Sequence, residues 1–217
     1  MPTLLISHPV FLEHDTGYGH PERPDRLRAI EQVLEDESFQ FLHREEAPLA
    51  DEEVIARMHG PEYIAALKKV APESGHCYVD GGDTVMSPKS WEAALRSAGA
   101  AVMAVDQVVT GAARNAFCAA RPPGHHAEKR QAMGFCFFNN VAIAAAHARE
   151  AHGLERVAVI DFDVHHGNGT QHMFWSEPNL FYGSSHQMPL FPGTGEWSEQ
   201  GVAGNIVNAP LRRGDDT

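Results

Sequence analysis

The run Asp161-Phe-Asp163-Val-His165-His166-Gly167-Asn168-Gly169 is the densest set of metal-binding side chains in the sequence. It leaves residues 157–162, Val-Ala-Val-Ile-Asp-Phe, which read as a strand apolar enough to be buried on both faces. In an extended chain, residues i and i+2 point the same way. Asp163 and His165 can therefore aim one carboxylate oxygen and one imidazole nitrogen at a single point, and mixed N/O ligation of this kind suits zinc. Asp161 continues the alternation but need not bind the same ion. A carboxylate buried at a strand end requires a partner, either a second cation or a histidine. An Asp/His cluster that merely caps the next helix would produce a similar string.

A second string, Arg121-Pro-Pro-Gly124-His125-His126-Ala127, follows another strand candidate, residues 116–120. Gly124 permits close approach of backbone or ligand. Neutral histidine is suited to take a proton from water near pH 7. Adjacent side chains do not serve one point identically, so one imidazole faces the reacting water and the other lies deeper, against an acid. A third string, Met133-Gly134-Phe135-Cys136-Phe137-Phe138-Asn139-Asn140, follows closely, and Phe191-Pro-Gly-Thr-Gly195 comes after residues 180–184, another strand candidate. Two facing rings, Phe135 and Phe191, would make a narrow slot for an alkyl chain, with burial supplying the affinity.

The elements that must hold these loops alternate in type. Residues 3–7 read as a buried strand, 25–34 as a helix, 52–58 and 62–70 as two shorter helices, and 73–89 as a Gly/Asp/Pro-rich loop. Ser90 can cap a long helix to about Val109 with Leu95, Val102, Val105 and Val109 inward. An Ala-rich helix over 140–151 and a short one over 170–175 separate the later strands. This order implies an α/β fold of three layers, αβα, around a mainly parallel sheet. In such sheets ligands bind beyond the carboxyl ends of the strands, where all three strings fall.

Bulk properties set the class. The 217 residues fit one domain; 43% are hydrophobic and 21% charged, and the net charge is −12. That charge disfavours direct nucleic-acid binding, which needs clustered Lys and Arg, and favours cationic substrates. Cys77, Cys118 and Cys136 form no CxxC pair, so a reduced, cytoplasmic setting is expected. No apolar run approaches the ~20 residues that span a membrane.

Together the strings, in order and spacing, resemble the histone deacetylase superfamily, from His20-Pro-Glu-Arg-Pro-Asp-Arg26 onward. Gly167-Asn-Gly-Thr-Gln171 looks closer to the class II deacetylases and their bacterial relatives, the acetylpolyamine amidohydrolases and acetoin-utilisation proteins. The resemblance implies zinc-dependent removal of acyl groups from acetylated lysine or acetylpolyamines. It implies Asp163 and His165 as zinc ligands, His126 as general base and His125 as the deeper histidine paired with Asp161. Asp161 and Ser184 match a structural potassium site. Phe135 and Phe191, with Gly134, match the acyl-lysine tunnel, Asp83 a rim acid holding the substrate backbone, and Arg26 an internal arginine at the tunnel's foot.

A catalytic zinc site has three protein ligands, and the family's third, an aspartate on a later strand, has no match here; nor does its oxyanion-binding tyrosine. Asp215 and Asp216 read as loop or cap residues. The expectation is therefore a single domain over residues 1–217, incomplete at its C-terminus and lacking its last strands, that alone binds zinc weakly and hydrolyses little. Two other readings stay open. One is a pseudo-deacetylase that binds acyl-lysine or a partner without turnover. The other is an arginase-like binuclear hydrolase, which the Gly167 in place of a second aspartate disfavours.

Overall fold

The computed structural model describes residues 2–215; Asp216 lies outside them. Among the described residues, two three-stranded parallel sheets and seven α-helices make up most of the fold. The first sheet has the order β2-β1-β5 and the second β6-β7-β8. Strand β1 (Thr3–Ser7) is central because Leu4, Leu5 and Ile6 are all buried. It is flanked by β2 (His43–Glu46) and β5 (Asn115–Cys118). Strands β6 (Val157–Asp161), β7 (Leu180–Gln187) and β8 (Ile206–Leu211) form the second sheet, with Asp161 opposite Ser184 in register. A short antiparallel pair, β3 (Cys77–Tyr78) and β4 (Val85–Met86), lies within the 73–89 segment expected to be loop.

Helices α1 (Val10–Glu13) and α2 (Pro24–Val33) cover the first sheet's core, and α3 (Glu52–Ile55) and α4 (Pro61–Val70) pack with Phe137 and Phe138 in a second cluster. Pro24 and Pro61 each open their helix at a position where the missing N–H is no loss. The long α5 (Ser90–Val109) packs along α6 (Asn140–His152) and reaches both β1 and β5. The Asn139 side chain caps α6 by accepting the Ala142 N–H at 3.1 Å, and Gly153, at φ 66°, ends it in the left-handed conformation. Helix α7 (Asn168–Phe174) packs on β7.

Three local expectations change. The fully buried face of α5 is made of small residues, Ala93, Ala94, Ser97, Ala98, Gly99 and Ala100; Leu95 and Val102 pack against the core partly buried, as expected, while Val109 is 39% exposed. Close approach of the chain explains this: a Cβ on Gly99 would meet the Pro48 carbonyl oxygen at 2.0 Å. Ser90 is the first residue of that helix rather than its cap; its hydroxyl accepts the Ser87 N–H at 2.7 Å and meets His14 Nδ1 at 2.6 Å. Strand β6 is not covered on both faces: Val159 is buried, but Ile160 is 66% exposed because β6 is a sheet edge with one face open.

Candidate functional site

The 121–127 loop leaves β5 of the first sheet and the 161–170 loop leaves β6 of the second, yet the two loops meet. The Thr170 N–H donates to the His125 carbonyl at 3.2 Å. Asn139 Nδ2 donates to the Ala127 carbonyl at 3.3 Å and to Thr170 Oγ1 at 3.1 Å. The approach demands glycine: a Cβ on Gly169 would lie 2.2 Å from the Ala127 oxygen.

This junction sets the two adjacent histidines apart. His125 Nδ1 donates to Asp161 Oδ2 at 2.9 Å, and the Tyr182 hydroxyl donates to the same oxygen at 3.0 Å. Burial raises the Asp161 carboxyl, but these hydrogen bonds outweigh it and hold the group below the usual carboxylate range. His126 Nδ1 lies 2.8 Å from Asn168 Oδ1, while Asn168 Nδ2 donates to Glu128 Oε1 at 2.9 Å. The amide oxygen therefore accepts, Nδ1 of His126 carries the proton, and Nε2 is left with its lone pair. Burial, reinforced by neighbouring His125, lowers the His126 pKa to about 4, so the ring is neutral at pH 7.

Asp163 and His165 are brought together: Asp163 Oδ1 and His165 Nδ1 are 3.1 Å apart, and both side chains are partly open to solvent. A tetrahedral zinc ion with bonds of about 2.0–2.1 Å holds its ligand atoms roughly 3.3 Å apart, so the pair already has ligand spacing. The His165 and His126 rings are 5.9 Å apart, and Phe191 sets its ring edge-on against both, at 6.2 and 5.0 Å.

Phe135 makes no ring contact with Phe191; His20 meets it edge to face at 4.8 Å. Phe135 is the one described non-glycine residue at positive φ, 71°. Its N–H is held by Thr84 Oγ1 at 3.0 Å, and Thr84 donates in turn to Asp80. The Asp80 carboxylate also accepts the N–H groups of Gly82 and Asp83, which fixes the loop on which Asp83 stands exposed. His20 Nε2 donates to the Asp83 carbonyl at 3.0 Å. Gly134, at φ 56°, lies under His126: a Cβ there would be 2.4 Å from the ring.

Ser184 Oγ lies 2.9 Å from His186 Nδ1, and His186 Nε2 lies 3.0 Å from the Gly195 carbonyl. The carbonyl can only accept, so Nδ1 is unprotonated, the hydroxyl donates to it, and its lone pairs remain available to a cation beside Asp161. Arg26 is exposed, contrary to expectation. The buried arginine is Arg121, which makes a two-pronged ion pair with Glu22 at 2.5 and 2.7 Å and donates to the Phe11 carbonyl at 2.6 Å. Glu22 and Arg121 are 99 residues apart, so sequence proximity gave no hint of the pair. Asn168 and Tyr182 also escaped assignment, although Asn168 stands inside the richest motif.

Among the described residues, the one group of three or more His, Cys, Asp or Glu side chains close enough to hold an ion is Asp106, His147 and His152, on α5 and α6. It does not include Asp163 or His165. The same residues include no helix long and apolar enough to cross a membrane.

The histone deacetylase domain family matches residues 20–217. The chain belongs to that family. The fold agrees: the crystal structure of the HDA15 HD domain superposes with a TM-score of 0.90 at 34% identity, over 96% of this chain and 62% of that one. An uncharacterised protein of Synechocystis, slr0245, is 43% identical over 98% of this chain and 70% of its own length. A histone deacetylase-like amidohydrolase of Pseudomonas aeruginosa is 40% identical over 90% of this chain and 52% of its own length. The human polyamine deacetylase HDAC10 is 41% identical over 86% of this chain and 29% of its own length. This histone deacetylase domain thus has the α/β fold its motifs imply, and it spans about half of the amidohydrolase's length.

Proposed function

We propose that this domain carries the zinc-binding and proton-handling groups of a deacylase acting on acetylated lysine or acetylpolyamines. The observation that supports it most is the convergence of His126, from one sheet, on the Asp163–His165 pair from the other, under one phenylalanine ring. Asp163 and His165 would hold the zinc, which when bound polarises an acyl carbonyl and acidifies water. His126 Nε2 is unprotonated and takes the proton of the attacking water; Asn168 fixes that tautomer. His125, braced by Asp161, stands beside it as the second imidazole. Phe135 and Phe191 exclude water along the acyl chain, Gly134 lets the His126 ring pack against the tunnel loop, and Asp83 orients the substrate at the rim. Asp161 and Ser184 would hold a potassium ion. The net negative charge favours a cationic substrate, polyamine or lysine-rich, in a cytoplasmic setting.

Room for a binuclear, arginase-like centre is poor. A Cβ on Gly167 would lie 2.4 Å from Asp161 Oδ2 and 2.5 Å from the Tyr182 hydroxyl, so a carboxylate at that position would displace both. The deciding experiment measures zinc stoichiometry, together with acetyl-lysine and acetylspermidine hydrolysis, on residues 1–217 and on His126→Ala. Turnover that falls ~10²-fold or more in His126→Ala supports the deacylase. Residues 1–217 alone are expected to hydrolyse little, so residual turnover is what is compared: acyl-lysine binding with residual turnover that His126→Ala leaves unchanged supports a binding module instead.

A further inference from the structure

We propose that Asp106, His147 and His152 form a second divalent-metal site, of the zinc, cobalt or nickel class, that ties α5 to α6. His147 Nε2 and His152 Nε2 each lie 2.6 Å from the same oxygen, Asp106 Oδ1. The ligand atoms of the three residues all lie within 4.8 Å of one another. Two imidazoles and a carboxylate are the donor set that borderline divalent ions take, with room for a fourth, solvent ligand. That fourth position is open, because the Asp106 side chain is 43% exposed while those of His147 and His152 are 11% and 18% exposed. Opening the 2.6 Å contacts to the roughly 3.3 Å that separates ligands around zinc moves each atom by less than about 1 Å.

The site is remote from the first. Helices α5 and α6 both begin beside the active-site loops, at Ser90 and Asn140, and the triad lies in their far halves. His152 is the last residue of α6, where the left-handed Gly153 turns the chain away and leaves its ring facing His147 at 5.5 Å. One neighbour competes with the ion. Arg57 Nη1 donates to His147 Nδ1 at 2.8 Å, which places the proton of that ring on Nε2, pointing at Asp106. Metal binding requires the proton on Nδ1 and the Arg57 guanidinium turned away, toward Glu150, which it already meets at 3.0 Å. Arg57 also borders an open cavity of about 510 Å³ into which it can move.

The consequence is mechanical. No ladder joins the two sheets among the described residues; α5 rides on the first sheet and α6 on the second. A metal bridging Asp106 and the two histidines links those halves directly.

The test uses the 217-residue chain with Asp163→Ala and His165→Ala, stripped with chelator and titrated with zinc chloride by calorimetry and with cobalt(II) by visible absorption. The expected result is one ion per chain and a melting temperature raised by zinc. Adding His152→Gln or Asp106→Asn lowers affinity at least ~10-fold, the order seen when a site loses a supporting group, and abolishes the rise. His152→Gln is acceptable only if its melting in chelator matches its parent. The unsubstituted chain gives a second readout free of folding risk: nitrogen NMR should show Nε2 of His147 and His152 passing from N–H to metal-bound on adding zinc. Arg57→Ala should tighten binding; unchanged or weaker affinity counts against Nε2 of His147 as a donor. No saturable binding, binding indifferent to His152→Gln and Asp106→Asn, or unmoved His147 and His152 signals overturns the proposal.

Discussion

Replacing Gly134 by alanine should cost activity and stability in similar measure, with the activity loss tied to the His126 ring. Gly134 sits at φ 56°, a region where a side chain costs roughly 1–2 kcal/mol. The added Cβ would lie 2.4 Å from His126 Cδ2 and 2.7 Å from Cγ. Ordinary carbon contacts are about 3.5–4.0 Å, so the ring must retreat by about 1 Å or more. It has little freedom to do so, being 4% exposed, bonded through Nδ1 to Asn168 and edged by Phe191. Straining that hydrogen bond adds about 1 kcal/mol, for a total near 2–3 kcal/mol. A displacement of ~1 Å in a reacting group costs on the order of 10²-fold in rate, or about 2.7 kcal/mol of barrier. Gly153→Ala is the control: it has φ 66° but nothing within 4 Å of the new Cβ, so it carries the backbone cost alone. The assay compares urea midpoints and acetyl-lysine turnover of both variants. If Gly134→Ala keeps turnover within about fivefold of Gly153→Ala, His126 is not the group whose position limits the reaction.

Three further outcomes follow from the same geometry. Glu22→Gln strands the buried Arg121 guanidinium, which should lower the unfolding free energy in urea by about 3–5 kcal/mol; a loss below about 1 kcal/mol would show that the charge finds another partner. His59 is pushed down to about 4 and His14 to about 3, both chiefly by burial, although Glu22 lies 3.5 Å from His14, because Arg121 already neutralises that carboxylate. Unfolded histidine takes its proton near pH 6.5 while these rings stay neutral, so stability is whole above pH 6.5 and lost as pH falls toward 4; the His59 share is about 3 kcal/mol, and a urea midpoint flat between pH 7 and 4.5 would contradict it. Phe135→Gly relieves the positive φ while removing the ring, so stability should change by less than ~1 kcal/mol. Its KM for acetyl-lysine should rise several-fold, and an unchanged KM would remove Phe135 from the acyl path.

Much of the site was legible because its residues come in short strings tied to strand ends. The two-residue repeat of an extended chain pairs Asp163 with His165, and the structure does bring them together, though in a bend beyond β6 where the His165 N–H also donates to Asp163 Oδ1 at 2.8 Å. What the strings could not show was whatever depends on two distant segments. Strand β2, His-Arg-Glu-Glu, is exposed throughout and has no apolar alternation, since it is a charged edge strand. Strand β8 ends in Pro210 and Leu211, and a proline reads against a strand unless the strand is an edge. The inward face of α5 was sought among its valines, whereas close approach to Pro48 selects alanine and glycine. The Glu22–Arg121 pair and the Asp106–His147–His152 triad each join residues 40 or more positions apart, which no local period can reveal.

The division of the chain into two ribbons bears on how sequence change reaches the chemistry. His126, the proposed proton acceptor, travels with one ribbon and the Asp163–His165 pair with the other. Their spacing is set by the alanine seam between the two long helices and by the hydrogen bonds that stitch the loops, Thr170–His125, His125–Asp161 and His126–Asn168. A methyl group added deep in that seam, touching neither loop, would pry the reacting groups apart, so variants far from the cleft should be read first as kinetic lesions and only then as losses of fold.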